Sequence, residues 1–82
     1  MIKVYDNAGF TACRYTVLFL DEPERDGFYR SISLSDDPAH PTGCAIHGVA
    51  LDGKHLGRRV SFDNLPYKAR QYLERATLHK RV

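Results

Sequence analysis

The chain has 82 residues, of which 43% are hydrophobic and 27% charged, and a net charge of +2. So short a chain buries only ~60–65% of its unfolded surface, so residues 1–82 read as a single domain with a thin core and little room for a deep enzyme pocket. Its longest apolar run, Val17-Leu18-Phe19-Leu20, is too short to span a bilayer, and Met1-Ile2-Lys3-Val4-Tyr5-Asp6 lacks the apolar stretch of a secretory leader, so no membrane association and a cytoplasmic location are expected.

Ile2 to Tyr5 reads as a short strand with Ile2 and Val4 on one face. Asp6-Asn7-Ala8-Gly9 is turn chemistry. Cys13 to Leu20 carries the clearest strand signal, with Tyr15, Val17 and Phe19 alternating against Arg14, Thr16 and Leu18. Glu22 to Gly27 is a polar loop leading to a second strand, Phe28 to Leu34, in which Phe28, Arg30, Ile32 and Leu34 share a face. These strands form an antiparallel meander. Ser35 to Gly43 holds two prolines and cannot be regular structure. Cys44 to Leu51 is assigned to a strand, Asp52-Gly53 to a turn, and Arg59 to Phe62 to a strand with Val60 and Phe62 inward. Pro66 opens a helix, since its fixed φ suits the first helical position. Ala69, Tyr72, Leu73 and Ala76 then share one apolar face, and Arg75, His79, Lys80 and Arg81 favour the C-terminal end of the dipole. The expected fold is α+β: three to five short antiparallel strands packed by one C-terminal amphipathic helix.

Charge is uneven along the chain. Residues 1–41 hold four Lys/Arg against seven Asp/Glu, and residues 42–82 hold eight against three. Such asymmetry predicts a molecule with a basic end. Its exposed cations, Lys54, Arg58, Arg59, Lys68, Arg70, Arg75, Lys80 and Arg81, suit phosphate contacts, with Tyr67 and Tyr72 among them for stacking. No nucleic-acid-binding motif accompanies them. Opposite potentials on the 21–26 loop and the helix would equally steer a protein partner, and Tyr5, Tyr29 and Tyr67 are the amphipathic anchors that interfaces favour.

Other chemistry fits less well. His40, Cys44, His47 and His55 offer metal ligands in a short span, but their spacing matches no familiar zinc pattern, so neither a metal nor a cofactor is assigned. Ser31, Ser33 or Ser35 could be drawn into a triad with His40 and Asp36 or Asp37, yet a triad is defined by geometry, not by sequence proximity. No nucleophile elbow, metalloprotease helix or phosphate loop is present, and no catalytic residue is assigned. Cys13 and Cys44 could form one disulfide, though two cysteines without a leader fit a reducing compartment better.

Three stretches together resemble a group of small uncharacterised proteins of phages and bacterial mobile elements. The first is Tyr5-Asp6-Asn7-x-Gly9-x-Thr11-x-x-Arg14-Tyr15-Thr16-Val17. The second is Ser35-Asp36-Asp37-Pro38-Ala39-His40-Pro41-Thr42-Gly43. The third is Gly53-Lys54-His55-Leu56-Gly57-Arg58-Arg59, followed by the Leu65-Pro66 helix start. Ala8 departs from the pattern where glycine is usual, and Cys44 departs where an aromatic is usual. The resemblance implies no catalytic residue. It implies a setting in which compact proteins act by binding, some of them against host defences such as CRISPR effectors. The expectation is a non-enzymatic protein that binds a host effector or nuclease complex as an inhibitor through Arg58, Arg59, Lys68, Arg70, Arg75, Tyr67 and Tyr29. Its rivals are a nucleic-acid-binding accessory protein that uses the basic half and a small nuclease dependent on His40, His47 and His55.

Overall fold

The computed structural model describes the backbone of residues 1–81 and the side chains of residues 1–76. The strands are β1 (Ile2–Asp6), β2 (Tyr15–Arg25), β3 (Phe28–Leu34), β4 (Ala45–Leu51) and β5 (Arg58–Val60), and helix α1 spans Tyr67–Arg81. They form one antiparallel sheet in the order β4-β3-β2-β1-β5, with α1 packed on one face. This is the expected α+β architecture at the upper end of its strand count.

Register follows the apolar alternation. Val4 pairs with Val17 on one side and Val60 on the other, and Val17 pairs with Ile32. Directly opposed residues share a face, so these side chains point together toward the helix. Val4, Tyr15, Val17, Ile32 and Leu34 meet Leu65, Ala69 and Leu73 there, with Tyr72 and Ala76 partly buried at the margin. The apolar stripe predicted for the helix therefore covers the sheet. Pro66 supplies the carbonyl that accepts the first helical bond, from the Arg70 amide. The side chains of His79, Lys80 and Arg81 lie outside the described residues.

β2 runs five residues past its predicted end. Asp26 and Gly27, at φ 47° and 86°, form a two-residue turn that folds Glu22–Arg25 back onto β3. Pro23 is tolerated there because the register shifts on both sides of it, and prolines within sheets sit at edges and bulges. β5 begins one residue early, at Arg58 opposite Asp6, and Phe62 falls in a 3-10 turn, Phe62–Asn64, instead of a strand.

The second face of the sheet is also covered. Tyr5, Thr16, Leu18 and Ser31 are buried on it. β4 and β5 are opposite edges, so residues 52–57 must cross the sheet between them. On a flat sheet the diagonal from Leu51 to Arg58 would be about 27 Å, and the linking residues, with a 3-10 turn at Lys54–Leu56, can span only about 20 Å. The sheet therefore curls toward the crossover. Curling brings Asp52 within reach of β1, where Lys3 Nζ donates to it at 2.7 Å and the Tyr5 hydroxyl at 2.5 Å. Tyr5 is thus an internal strut and not the exposed anchor expected. No helix among the described residues is long and apolar enough to cross a membrane.

Candidate binding surface where three loops meet

The three stretches singled out by resemblance are distant in sequence but adjacent in the fold. Residues 7–14, 35–44 and 53–57 lie at one end of the sheet, and shallow clefts join them. One cleft of about 510 Å³ is lined by Phe10 and Arg14 from the first loop and by Lys54, His55 and Arg58 from the third. A second, of about 380 Å³, runs from Arg14 to Asp36, His40 and Thr42 of the middle loop. A third, of about 300 Å³, continues from Asp37 and His40 to Lys68, Tyr72 and Arg75 of the helix.

The motif residues of the first loop hold that loop together. Asp6 receives Arg14 through Nε at 2.8 Å and Nη2 at 3.1 Å, and the Ala8 amide at 2.7 Å. The Arg14 guanidinium holds the Asp6 carboxyl below its ordinary range, against the opposing cost of burial. Asn7 Oδ1 accepts from the amides of Gly9 and Phe10, while Nδ2 donates to Thr11 Oγ1 and to the Cys13 carbonyl. Asp6, Asn7, Gly9, Thr11 and Arg14 are thereby committed to each other. Ala8 takes φ 61°, a left-handed conformation that disfavours any residue with a Cβ.

The middle loop is equally tied. Ser35 accepts the Cys44 amide through Oγ at 3.0 Å, and His40 Nδ1 accepts the Thr42 amide at 3.1 Å. Gly43 packs so closely on the carbonyls of Asp37, Pro38 and His40 that a Cβ has no space. Cys44 is bonded to Cys13 as a disulfide, with Cα atoms 5.4 Å apart, and this separation suits a bridge. The bridge welds the middle loop to the first, and it replaces the reduced cysteines expected from the sequence. In the third loop, Gly57 at φ 119° passes against the Asp6 backbone, leaving no room for a side chain. That approach starts β5.

Phe10 stands apart from this network. Its backbone is anchored by Asn7, yet the residue is 90% exposed. Sequence reasoning missed it. The available signal was an aromatic residue inside turn chemistry, outside any alternating pattern. The cations beside it in the cleft, Lys54 and Arg58, have no ion pair among the described residues.

The expected contact residues do not form one patch. Arg58 and Arg59 lie on β5 at the sheet edge, and opposite-face alternation points only Arg58 toward the helix side. Lys68 and Arg75 line the third cleft, and Lys68 is bonded to Asp37 at 3.3 Å. Arg70 leaves the helix on the flank opposite Tyr72, and its Nε is buried without a hydrogen-bond partner among the described residues. Tyr67 is 66% exposed. Tyr29 is half-buried on the crossover side of β3, opposite Pro23 and Ala50. The histidines are also separated. His40 and His55 line different clefts, and His47 Nε2 is bonded to the Tyr72 hydroxyl at 2.7 Å on β4. Cys44 is consumed by the disulfide, and no group of three metal-ligating side chains occurs among the described residues. No protein family, curated protein or solved structure matches the chain.

Proposed function

We propose that the chain is a small non-enzymatic binding protein of the phage and mobile-element type. It works by protein–protein contact and inhibits a host defence complex of the kind that CRISPR effectors represent. Phe10 carries the binding part of this reading: an almost fully exposed aromatic on a loop whose backbone is fixed by Asn7 and the Cys13–Cys44 bridge. Interfaces concentrate their energy in aromatic and arginine anchors, and a pre-ordered anchor loses little entropy on binding. Arg58 and Lys54 beside Phe10 supply the charge that would steer a partner with an acidic rim.

The same two cations favour nucleic acid as a second reading, with Phe10 as a stacking platform for one base. Affinity purification from the native host with wild type and Phe10→Ala separates the two. The expected result is one set of proteins recovered with wild type and depleted at least ~10-fold with the variant, the loss of about 1.4 kcal/mol or more that an anchor residue causes. Recovery of only DNA or RNA, with affinity falling steeply as salt rises, would replace the protein reading with the nucleic-acid one.

A further inference from the structure

The two edges of the sheet are built differently. β5 is three residues long and presents Arg58 and Arg59, a short charged edge of the kind that resists further pairing. β4, Ala45-Ile46-His47-Gly48-Val49-Ala50-Leu51, is seven residues long and has no Lys, Arg, Asp, Glu or Pro. Ile46 is 60% exposed, Val49 52% and Leu51 42%.

The ladder shows which backbone groups are left over. Ser35 N–H donates to the Cys44 carbonyl, and Asp52 N–H donates to the Gly27 carbonyl. Both pairs fall in the β3–β4 register, which joins Ser33 to Ile46 and Ser31 to Gly48. Hydrogen-bonded pairs alternate along an antiparallel ladder. Ile46, Gly48 and Ala50 therefore bond inward to β3, and Ala45, His47, Val49 and Leu51 turn their N–H and C=O groups out to the open edge.

Gly48 is the further clue. Its φ is not positive, and a Cβ built on it would meet nothing within 4 Å. Nothing inside the chain requires a glycine there, although glycine weakens a strand interior and often marks a place where another backbone approaches. The geometry points to a second copy of this chain as the occupant of the β4 edge, paired antiparallel about a two-fold axis through Gly48. In that register Ala45 faces the partner's Leu51, His47 faces its Val49 and Ile46 faces its Ala50. Leu51 and Ile46 meet alanines, His47 meets Val49, no like charges are opposed, and all four outward-facing residues of each strand are hydrogen-bonded. Gly48 meets its own copy as a non-hydrogen-bonded pair, where Cα atoms approach to about 4.5 Å. The two sheets become one of ten strands, and the interface is isologous, as in most dimers. This inference does not depend on the function proposed for the loop end.

Light scattering after size exclusion tests it on the full chain. The expected mass is twice 9.3 kDa for wild type and for Arg59→Glu on the other edge, and a single 9.3 kDa for Val49→Lys with an unchanged melt. Gly48→Cys tests the register. It should form a covalent dimer under mild oxidation, whereas Ile46→Cys, which faces Ala50 of the partner, should not. A wild type that stays monomeric up to ~1 mM, weaker than any self-association that would matter, overturns the proposal. So does a Val49→Lys variant that keeps the doubled mass, or a Gly48→Cys variant that stays unlinked.

Discussion

The three-loop end and the β4 edge are both exposed, and they are opposites in construction. At the loop end the polar side chains of Asp6, Asn7, Thr11 and Arg14 are paired within the chain, and one aromatic, Phe10, is 90% exposed. Along β4 there is no Lys, Arg, Asp or Glu, and the backbone groups of Ala45, His47, Val49 and Leu51 are unspent. The first surface resembles a rigid mount with a single projecting anchor, and the second is an unfinished sheet. The difference lies in what the side chains do: at the loop end they hold the backbone in place, and along β4 they leave it open. Asp6, Asn7, Gly9, Thr11 and Arg14 build the mount, and the function proposed above assigns recognition to Phe10 between them.

The largest expected effect comes from cutting the weld between the first and middle loops. Replacing both Cys13 and Cys44 with serine should cost about 3–4 kcal/mol, the closure entropy of a loop of about 30 residues. Calorimetry should then show a melting temperature lower by more than ~10 °C. A loss of under ~3 °C would mean that the hydrogen bonds of Asn7 and Ser35 hold the loops without the bridge.

Next in size is the strut across the curled sheet. Asp52→Ala removes the acceptor of the buried Tyr5 hydroxyl and should cost about 2 kcal/mol, while leaving the loop end intact. Its pH dependence has a definite sign. Hydrogen bonds from Lys3 and then Tyr5 hold the Asp52 carboxyl low, and Arg14 does the same for Asp6. A depressed carboxyl stabilises the fold above its unfolded pKa, and that contribution is lost as pH falls through the folded value. Wild type should therefore lose stability below about pH 4, and Asp52→Ala should lose less of it. At the alkaline side, the bond to Asp52 and burial raise the Tyr5 hydroxyl, so that contribution is present below about pH 10 and fades above it.

Smaller effects sharpen the picture of a mount. Ala8→Gly should stabilise the domain by about 1 kcal/mol, because glycine relieves the left-handed strain at that position. Phe10→Ala should change stability by less than about 0.5 kcal/mol, as an exposed side chain does. A large loss with Phe10→Ala in a urea melt would make Phe10 part of the mount and not the anchor.

Much of this fold was legible in the sequence for local reasons. β3 begins and ends where its alternation does, and α1 starts where Pro66 restricts the chain. What was not legible depends on tertiary partners. Glu22-Pro23-Glu24-Arg25 has loop composition, and only the Asp26-Gly27 turn and the pairing to β3 make it a strand. Tyr5 looked exposed because strand alternation assumes one open face, and here the crossover closes the second face over it. With two cysteines in the chain, the Cys13–Cys44 pairing was the only one available, but only the meeting of the first and middle loops in the fold brings it about. At the candidate site, the cationic residues were visible as types, but the fold distributes them over β5, both helix flanks and two clefts.

The most direct test of the account follows Phe10→Ala in two readouts on one preparation: its melting temperature and its recovery of host protein partners. A melt indistinguishable from wild type is expected, together with loss of the partners that wild type recovers. Recovery of the same partners by the unperturbed variant would contradict it.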